Sequence, residues 1–134
     1  MQIFGAGTRP SVRANPDYFT GTVWQDPIIS TGAPARLNAL TVHFEPGART
    51  AWHTHPLGQT LHVTQGAGLV GVRGENPRSI RAGDTVWIPG DVEHWHGAGP
   101  DTTMTHIAMQ EMQDGQAANW LEHVSDVDYG KSAS

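Results

Sequence analysis

Eight histidines stand in this 134-residue chain, and five of them are spaced so that their imidazoles can act together. His53 and His55 are two residues apart, and His94 and His96 repeat that spacing about 40 residues later. On an extended strand, residues i and i+2 share a face, so each pair sets two imidazoles side by side. His106 lies in an alternating run, on the face it shares with Met104, Ala108 and Gln110. Imidazoles gathered in an interior carry ring nitrogens that must be satisfied, and a divalent metal satisfies several at once. One isolated His-x-His pair is ordinary protein surface. Two pairs, each behind a Gly-bounded turn, point instead to a metal centre. His43, His62 and His123 read as structural or surface positions, and Trp52 and Trp95, which flank the pairs, as packing residues.

The elements that must position these groups are short strands. Gly (16) and Pro (9) punctuate the chain from end to end and leave no room for long helices. Asn38 to Glu45 alternates, with Leu40, Val42 and Phe44 opposite Thr41 and His43. Thr60 to Thr64 sets Leu61 and Val63 opposite His62, Asp84 to Ile88 reads as a compact strand, and Thr102 to Gln110 alternates again. Turn signals fall between these runs, at Glu45-Pro46-Gly47, Gln65-Gly66, Gly74-Glu75-Asn76-Pro77, Ala82-Gly83-Asp84 and Ile88-Pro89-Gly90-Asp91. Strands at this spacing predict an all-β sandwich or closed barrel. The stretch to about Pro34 is loop-rich, with weak strand signals from Phe19 to Trp24. A short helix is expected between Gln116 and His123, then a turn capped by Ser125 with Asp128, then a frayed tail from Gly130 to Ser134.

Composition narrows the chemistry. Apolar residues make up 37% and charged residues 16%, the profile of one globular domain. Thirteen Asp and Glu against eight Lys and Arg give a net charge of −5, which disfavours a nucleic-acid partner. Cysteine is absent, so disulfides, thiolate metal sites and thiol catalysis fall away together. No apolar stretch reaches the ~18 residues of a membrane span, and Met1-Gln2-Ile3-Phe4-Gly5 lacks the pattern of a leader. A cytoplasmic protein without a membrane partner is expected.

The wider spacing carries a resemblance. Gly47 is followed by five residues and then His53-Thr54-His55; three more lead to Gln59 and six more to Gly66. Gly83 is followed by five residues to Pro89, with His94 five positions beyond. This resembles the paired motifs of the cupin superfamily, with Gln59 where most members carry Glu. Gly90 directly after Pro89, and Ala98 where Asn is usual, depart from the second motif. The resemblance implies a small jelly-roll barrel filling residues 1–134 as one domain: a core at about 36–112, an N-terminal arm at 1–35 and a C-terminal helix and tail at 113–134. It also implies a metal held by His53, His55, Gln59 and His94. Three nitrogens and one oxygen with open positions suit Mn2+, and next Fe2+, Co2+ or Ni2+, more than tetrahedral Zn2+. Gln59 is neutral, so the metal would keep nearly its full charge, which favours Lewis-acid chemistry over oxygen activation. His106, near the metal but outside that ligand set, is the candidate general base, its ordinary pKa of about 6.5 suiting proton transfer. Gln110 is placed to hydrogen-bond the same ligand, and His96 either to support the metal ligands from behind or to orient the substrate. Leu40, Val42, Phe44, Leu61 and Trp side chains are expected to wall an apolar pocket.

Three runs bring the resemblance closer: Phe44 to Leu61, Glu93-His94-Trp95-His96-Gly97-Ala98, and Met104-Thr105-His106 with Gln110-Glu111. They look like the bacterial cupin hydroxynitrile lyases, and Phe19-Thr20-Gly21-Thr22-Val23 also fits. The resemblance implies manganese and the reversible cleavage of (R)-cyanohydrins such as mandelonitrile to aldehyde and hydrogen cyanide. In that scheme His106 removes the hydroxyl proton and no redox change occurs. The same motifs overlap with carboxymuconolactone-decarboxylase-associated cupins, and an Fe-dependent cupin dioxygenase or a small-molecule-binding cupin are the alternatives. Five Trp and exposed apolar strand faces suggest a homo-oligomer, a dimer or a tetramer.

Overall fold

The computed structural model describes residues 1–133. In chain order the strands are β1 (Val12–Arg13), β2 (Phe19–Thr20), β3 (Val23–Ser30), β4 (Leu37–Phe44), β5 (Arg49–Thr50), β6 (His53–Thr54), β7 (Gln59–Val72), β8 (Arg78–Arg81), β9 (Thr85–Ile88), β10 (His94–Ala98), β11 (Met104–Glu111) and β12 (Asn119–Trp120), before the helical turn α1 (Asp126–Tyr129). They pair in the order β1-β3-β4-β11-β7-β10-β5-β2, a single curled sheet, with β8 and β9 on β7, and β6 between β10 and β12. Every pairing is antiparallel. The all-β expectation holds.

The long strand β7 is the hub. Its first half pairs with β11 and β9, and its second half with β10 and β8. The expected turn at Gln65-Gly66 is therefore a bend inside one strand. Gly66 makes it with φ +76°, and a Cβ there would stand 2.0 Å from the Thr103 carbonyl oxygen. Only glycine allows that approach and that backbone angle, so the strand turns without losing its ladder.

Period-2 alternation sets what is inside. On β11, Met104, His106, Ala108 and Gln110 are buried while the intervening residues are half-exposed, as the sequence pattern predicts. Val23, Val42, Phe44, Leu61, Val63 and Ile88 join Met104 and Ala108 in the main apolar core. Trp52 and Trp95 pack with Val124 in a second cluster, which fits their reading as packing residues.

Two segments differ from expectation. The strand signal at Phe19–Trp24 belongs to β2 and to a longer β3, which runs to Ser30 and pairs along β4, so this stretch is part of the sheet. The helix expected between Gln116 and His123 does not form. That segment is extended as β12, held by pairing of Trp120 with His53 and by Leu121 N–H donating to the Trp52 carbonyl (2.8 Å). Tertiary pairing and the stacking of Trp120 on Tyr18 (centroids 4.8 Å) outweigh a weak local preference. The helix comes later. Ser125 caps α1 by accepting from the Asp128 N–H (3.1 Å), as expected. Gly130 to Ala133 are exposed, and Ser134 of the expected tail lies outside the described residues.

Gly97 on β10 passes so close to β5 that a Cβ would stand 2.4 Å from the Ala48 carbonyl oxygen and 2.6 Å from Arg49 Cα. Both obstacles are backbone and cannot turn aside. Gly97→Ala is expected to destabilise the fold by about 1–3 kcal/mol, read as a lower denaturant midpoint at unchanged slope.

Candidate metal centre and active site

β6, β7, β10 and β11 deliver the histidines. His53 is paired with His94 across β6 and β10, which brings the two rings to 4.2 Å between centroids. His55 follows just beyond β6 and stands 4.9 Å from His53 and 5.4 Å from His94. His96 is 5.2 Å from His53, and His106 is 4.8 Å from His96. All five are buried. Gln59, at the start of β7, completes the group: its Oε1 lies 3.0 Å from His94 Nε2. The two halves of the sheet thus bring His53, His55, Gln59, His94, His96 and His106 into one region.

The ring nitrogens show what the cluster is prepared for. Backbone carbonyls accept hydrogen bonds from Nδ1 of three rings: Ala51 from His53 (2.9 Å), Ala117 from His55 (2.6 Å) and Val92 from His94 (2.9 Å). A carbonyl only accepts, so each Nδ1 carries the proton and each Nε2 keeps a bare lone pair. This is the arrangement by which proteins orient metal-binding imidazoles. Nε2 of His55 and of His96 are buried without a hydrogen-bond partner. At His94 the lone pair of Nε2 faces another lone pair, that of Gln59 Oε1. Two acceptors at 3.0 Å have no proton to share, and a cation between them resolves the conflict. The residues present therefore fit a metal. His53, His94 and His96 each offer a ring nitrogen within 4.8 Å of the other two, a three-histidine group able to hold one; it includes His96, which the sequence left outside the ligand set, and does not include His55, which the sequence put inside it.

Burial keeps these rings neutral. It pushes His53 and His96 well below the ordinary imidazole range, and neighbouring imidazoles act in the same direction. Burial lowers His55, and it pushes both His94 and His106 down to about 4. Neutral imidazole is the form that ligates.

A cavity of about 220 Å³ opens beside the cluster. His53, His55, Gln59, His96 and Gln110 are among its polar lining residues, and Leu40, Val42, Ala108 and Trp120 among its apolar ones. Of the expected wall, Leu40 and Val42 are in place. Phe44 and Leu61 instead belong to the core, where Phe44 packs edge-on against His96 and 5.2 Å from His106. His106 itself is fully buried and lies behind His96, with its Nε2 2.8 Å from His96 Nδ1. His96 is the imidazole of that pair that reaches the cavity. Asn38, Gln25, Thr50, Ala117 and Ala118 also line the cavity and went unnoticed in the sequence, and of the Trp side chains expected there it is Trp120 that does so. Asn38 heads the same alternating run as Leu40 and Val42, a signal that was there to read. Trp120 follows no pattern and is placed only by the pairing of β12.

Residues 40–109 match the cupin domain family, and the chain belongs to that family. An (R)-mandelonitrile lyase from Granulicella tundricola is 50% identical over 129 residues, 96% of this chain and 98% of that one. A cupin-like protein from Thermotoga maritima superposes with a TM-score of 0.83 at 39% identity, covering 96% of this chain and 95% of that one. A polyketide cyclase from Streptomyces resistomycificus shares the fold, with a TM-score of 0.75 at 14% identity over 96% and 90% of the two chains.

The neutral rings make stability depend on pH. The unfolded chain takes up protons on its histidines below about pH 6.5, whereas buried rings held near 4 do not. Metal-free protein is expected to keep full stability above pH 6.5 and to lose it as the pH falls toward 4. Chelator-treated protein unfolded in denaturant across that range tests this; a flat profile would mean that the rings are already charged in the fold.

Proposed function

We propose that this chain is a hydroxynitrile lyase that cleaves (R)-mandelonitrile and similar aromatic cyanohydrins, reversibly, to an aldehyde and hydrogen cyanide. The observation that carries this reading is 50% identity to an (R)-mandelonitrile lyase along nearly the whole of both chains. The cavity agrees with it: its lining combines apolar and aromatic side chains (Phe19, Leu40, Val42, Trp120) with imidazoles (His53, His55, His96).

His53, His55, Gln59 and His94 are the residues that would hold the metal, which we propose to be manganese. The three rings share one device, an Nδ1–H on a backbone carbonyl and a free Nε2, and Gln59 aims its oxygen at the same place. Bound there, the metal supplies Lewis acidity that lowers the pKa of a substrate hydroxyl and stabilises negative charge. The chain's own groups handle the proton. His96 lines the cavity with a free Nε2, and its Nδ1 is joined to His106 Nε2. The hydroxyl proton passes to His96 Nε2 as the proton on His96 Nδ1 passes to His106, which thus serves as the base by way of its neighbour. The O–H pair becomes the carbonyl π bond, the carbon–carbon bond breaks, and cyanide leaves with that bond's pair. The proton returns along the same two rings to give HCN. Trp120, Phe19 and Leu40 give the cavity an apolar wall for the substrate's aryl group.

The exposed apolar side chains of β3 and β4, Trp24, Ile28 and Leu37, support self-association as a dimer or larger assembly. The cavity supports a small molecule as the partner, and the net charge of −5 disfavours nucleic acid; no described helix is long and apolar enough to cross a membrane.

Chelator-stripped protein is expected to release no HCN from mandelonitrile above background, and Mn2+ to restore release equally with and without oxygen. A strict oxygen requirement would replace the lyase by an oxidative enzyme. His106→Ala and His96→Ala are each expected to slow cleavage by about 10²-fold or more, with metal content retained in His106→Ala. Full activity in His106→Ala would end its assignment as base.

A further inference from the structure

Two amides that line the cavity, Asn38 and Gln110, form a chain that ends on Gln59. The three residues are direct register partners on adjacent strands: Gln110 on β11 stands opposite Asn38 on β4 and opposite Gln59 on β7. Gln110 Nε2 donates to the backbone carbonyl of Asn38 (3.2 Å) and to its side-chain Oδ1. A backbone carbonyl can only accept, so it fixes which end of the Gln110 amide points toward β4. Gln110 Oε1 must then face β7, where it accepts from Gln59 Nε2 (2.9 Å). That commits the NH2 of Gln59 to one side and turns its Oε1 toward His94 Nε2.

Orientation matters here because an amide is not symmetric. Turned one way it offers a lone pair to a cation; turned the other it offers N–H donors and no lone pair. A carboxylate presents an oxygen either way and needs no such control. Gln59 and Gln110 are buried, at 4% and 7% exposure, so solvent cannot settle the choice.

We propose that Asn38 and Gln110 are positioning residues that set the polarity of the Gln59 amide and thereby make a neutral side chain an oxygen donor to the metal. The backbone carbonyl of Asn38 is the anchor of the chain, and Gln110 transmits its polarity across the sheet. This rests on Gln59 being a ligand, and the test separates the two claims.

The experiment measures Mn2+ affinity by competition with a chelating indicator, in folded proteins checked by thermal melting. The variants are Gln110→Met, Gln59→Glu, the double variant and Gln59→Ala. Gln110→Met is expected to weaken Mn2+ binding about 10–100-fold when residue 59 is Gln, and by less than about threefold in the Gln59→Glu background. Unchanged affinity in Gln110→Met, with weakened binding in Gln59→Ala, overturns the relay and leaves the ligand standing. Equal loss in both backgrounds reduces Gln110 to packing and overturns the proposal. Unchanged affinity in Gln59→Ala removes the ligand and the relay together. If Gln110→Met fails to fold, Asn38→Leu enters the same cycle, with a smaller loss expected in the same direction; no loss overturns the proposal.

Discussion

Buried lone pairs organise this molecule. Five imidazoles and two amides are buried among apolar side chains, and each brings polar atoms that the interior cannot hydrate. Proteins tolerate that cost when the groups have partners. Here the backbone satisfies one nitrogen on each of three rings and leaves the other bare, so the fold creates a shared need that one cation can meet. The site is a set of neutral bases that keep lone pairs free for ligation.

The sheet converts this need into geometry. β6 and β10 place His53 opposite His94, and β7 carries Gln59 to the same region while β11 brings His106 and Gln110. No single strand holds the site, so a shift in any pairing would move part of it. The bend at Gly66 lets one strand serve both halves of the sheet, and the bare backbone of Gly97 lets β10 lie against β5. The C-terminal segment closes the arrangement from outside. Trp120 lies over His53 at 4.6 Å, Ala117 supplies the carbonyl that orients His55, and Arg49 reaches from β5 to the Val124 carbonyl (2.8 Å) to hold the segment down.

Much of this was legible in the chain. The two His-x-His pairs, the glycines and proline around them and the alternation of β4 and β11 needed no tertiary information, because period-2 sterics and turn chemistry are local. Depth was not legible. Alternation puts His106 and Gln110 on one face, but which of them reaches the cavity depends on what the opposite strands place in front. His96 comes before His106, and only packing decides that. β12 was missed because two residues of strand have no pattern of their own; the edge of β6 creates them. The polarity of Gln59 was hidden for a similar reason, since it is fixed by a carbonyl 21 residues earlier and an amide 51 residues later.

Charge ties the donor set to the reaction. Among the described residues that line the cavity, none carries a carboxylate, a lysine or an arginine. The imidazoles are held neutral by burial and Gln59 has no charge to give. A divalent ion in such a site would meet no protein anion among the lining residues. The balancing charge must then come from the ligand. A cyanohydrin losing its hydroxyl proton becomes an anion, and its breakdown releases cyanide, so negative charge is present throughout the step that matters. A glutamate at position 59 would offset part of the metal's charge before the substrate arrived and weaken the pull on the developing anion. On this reasoning, a neutral amide at a position where a carboxylate would bind metal more tightly trades ligand strength for charge left available to the substrate. On the proposed ligand set, the hydrogen-bond chain from Asn38 would let that weaker donor keep its direction.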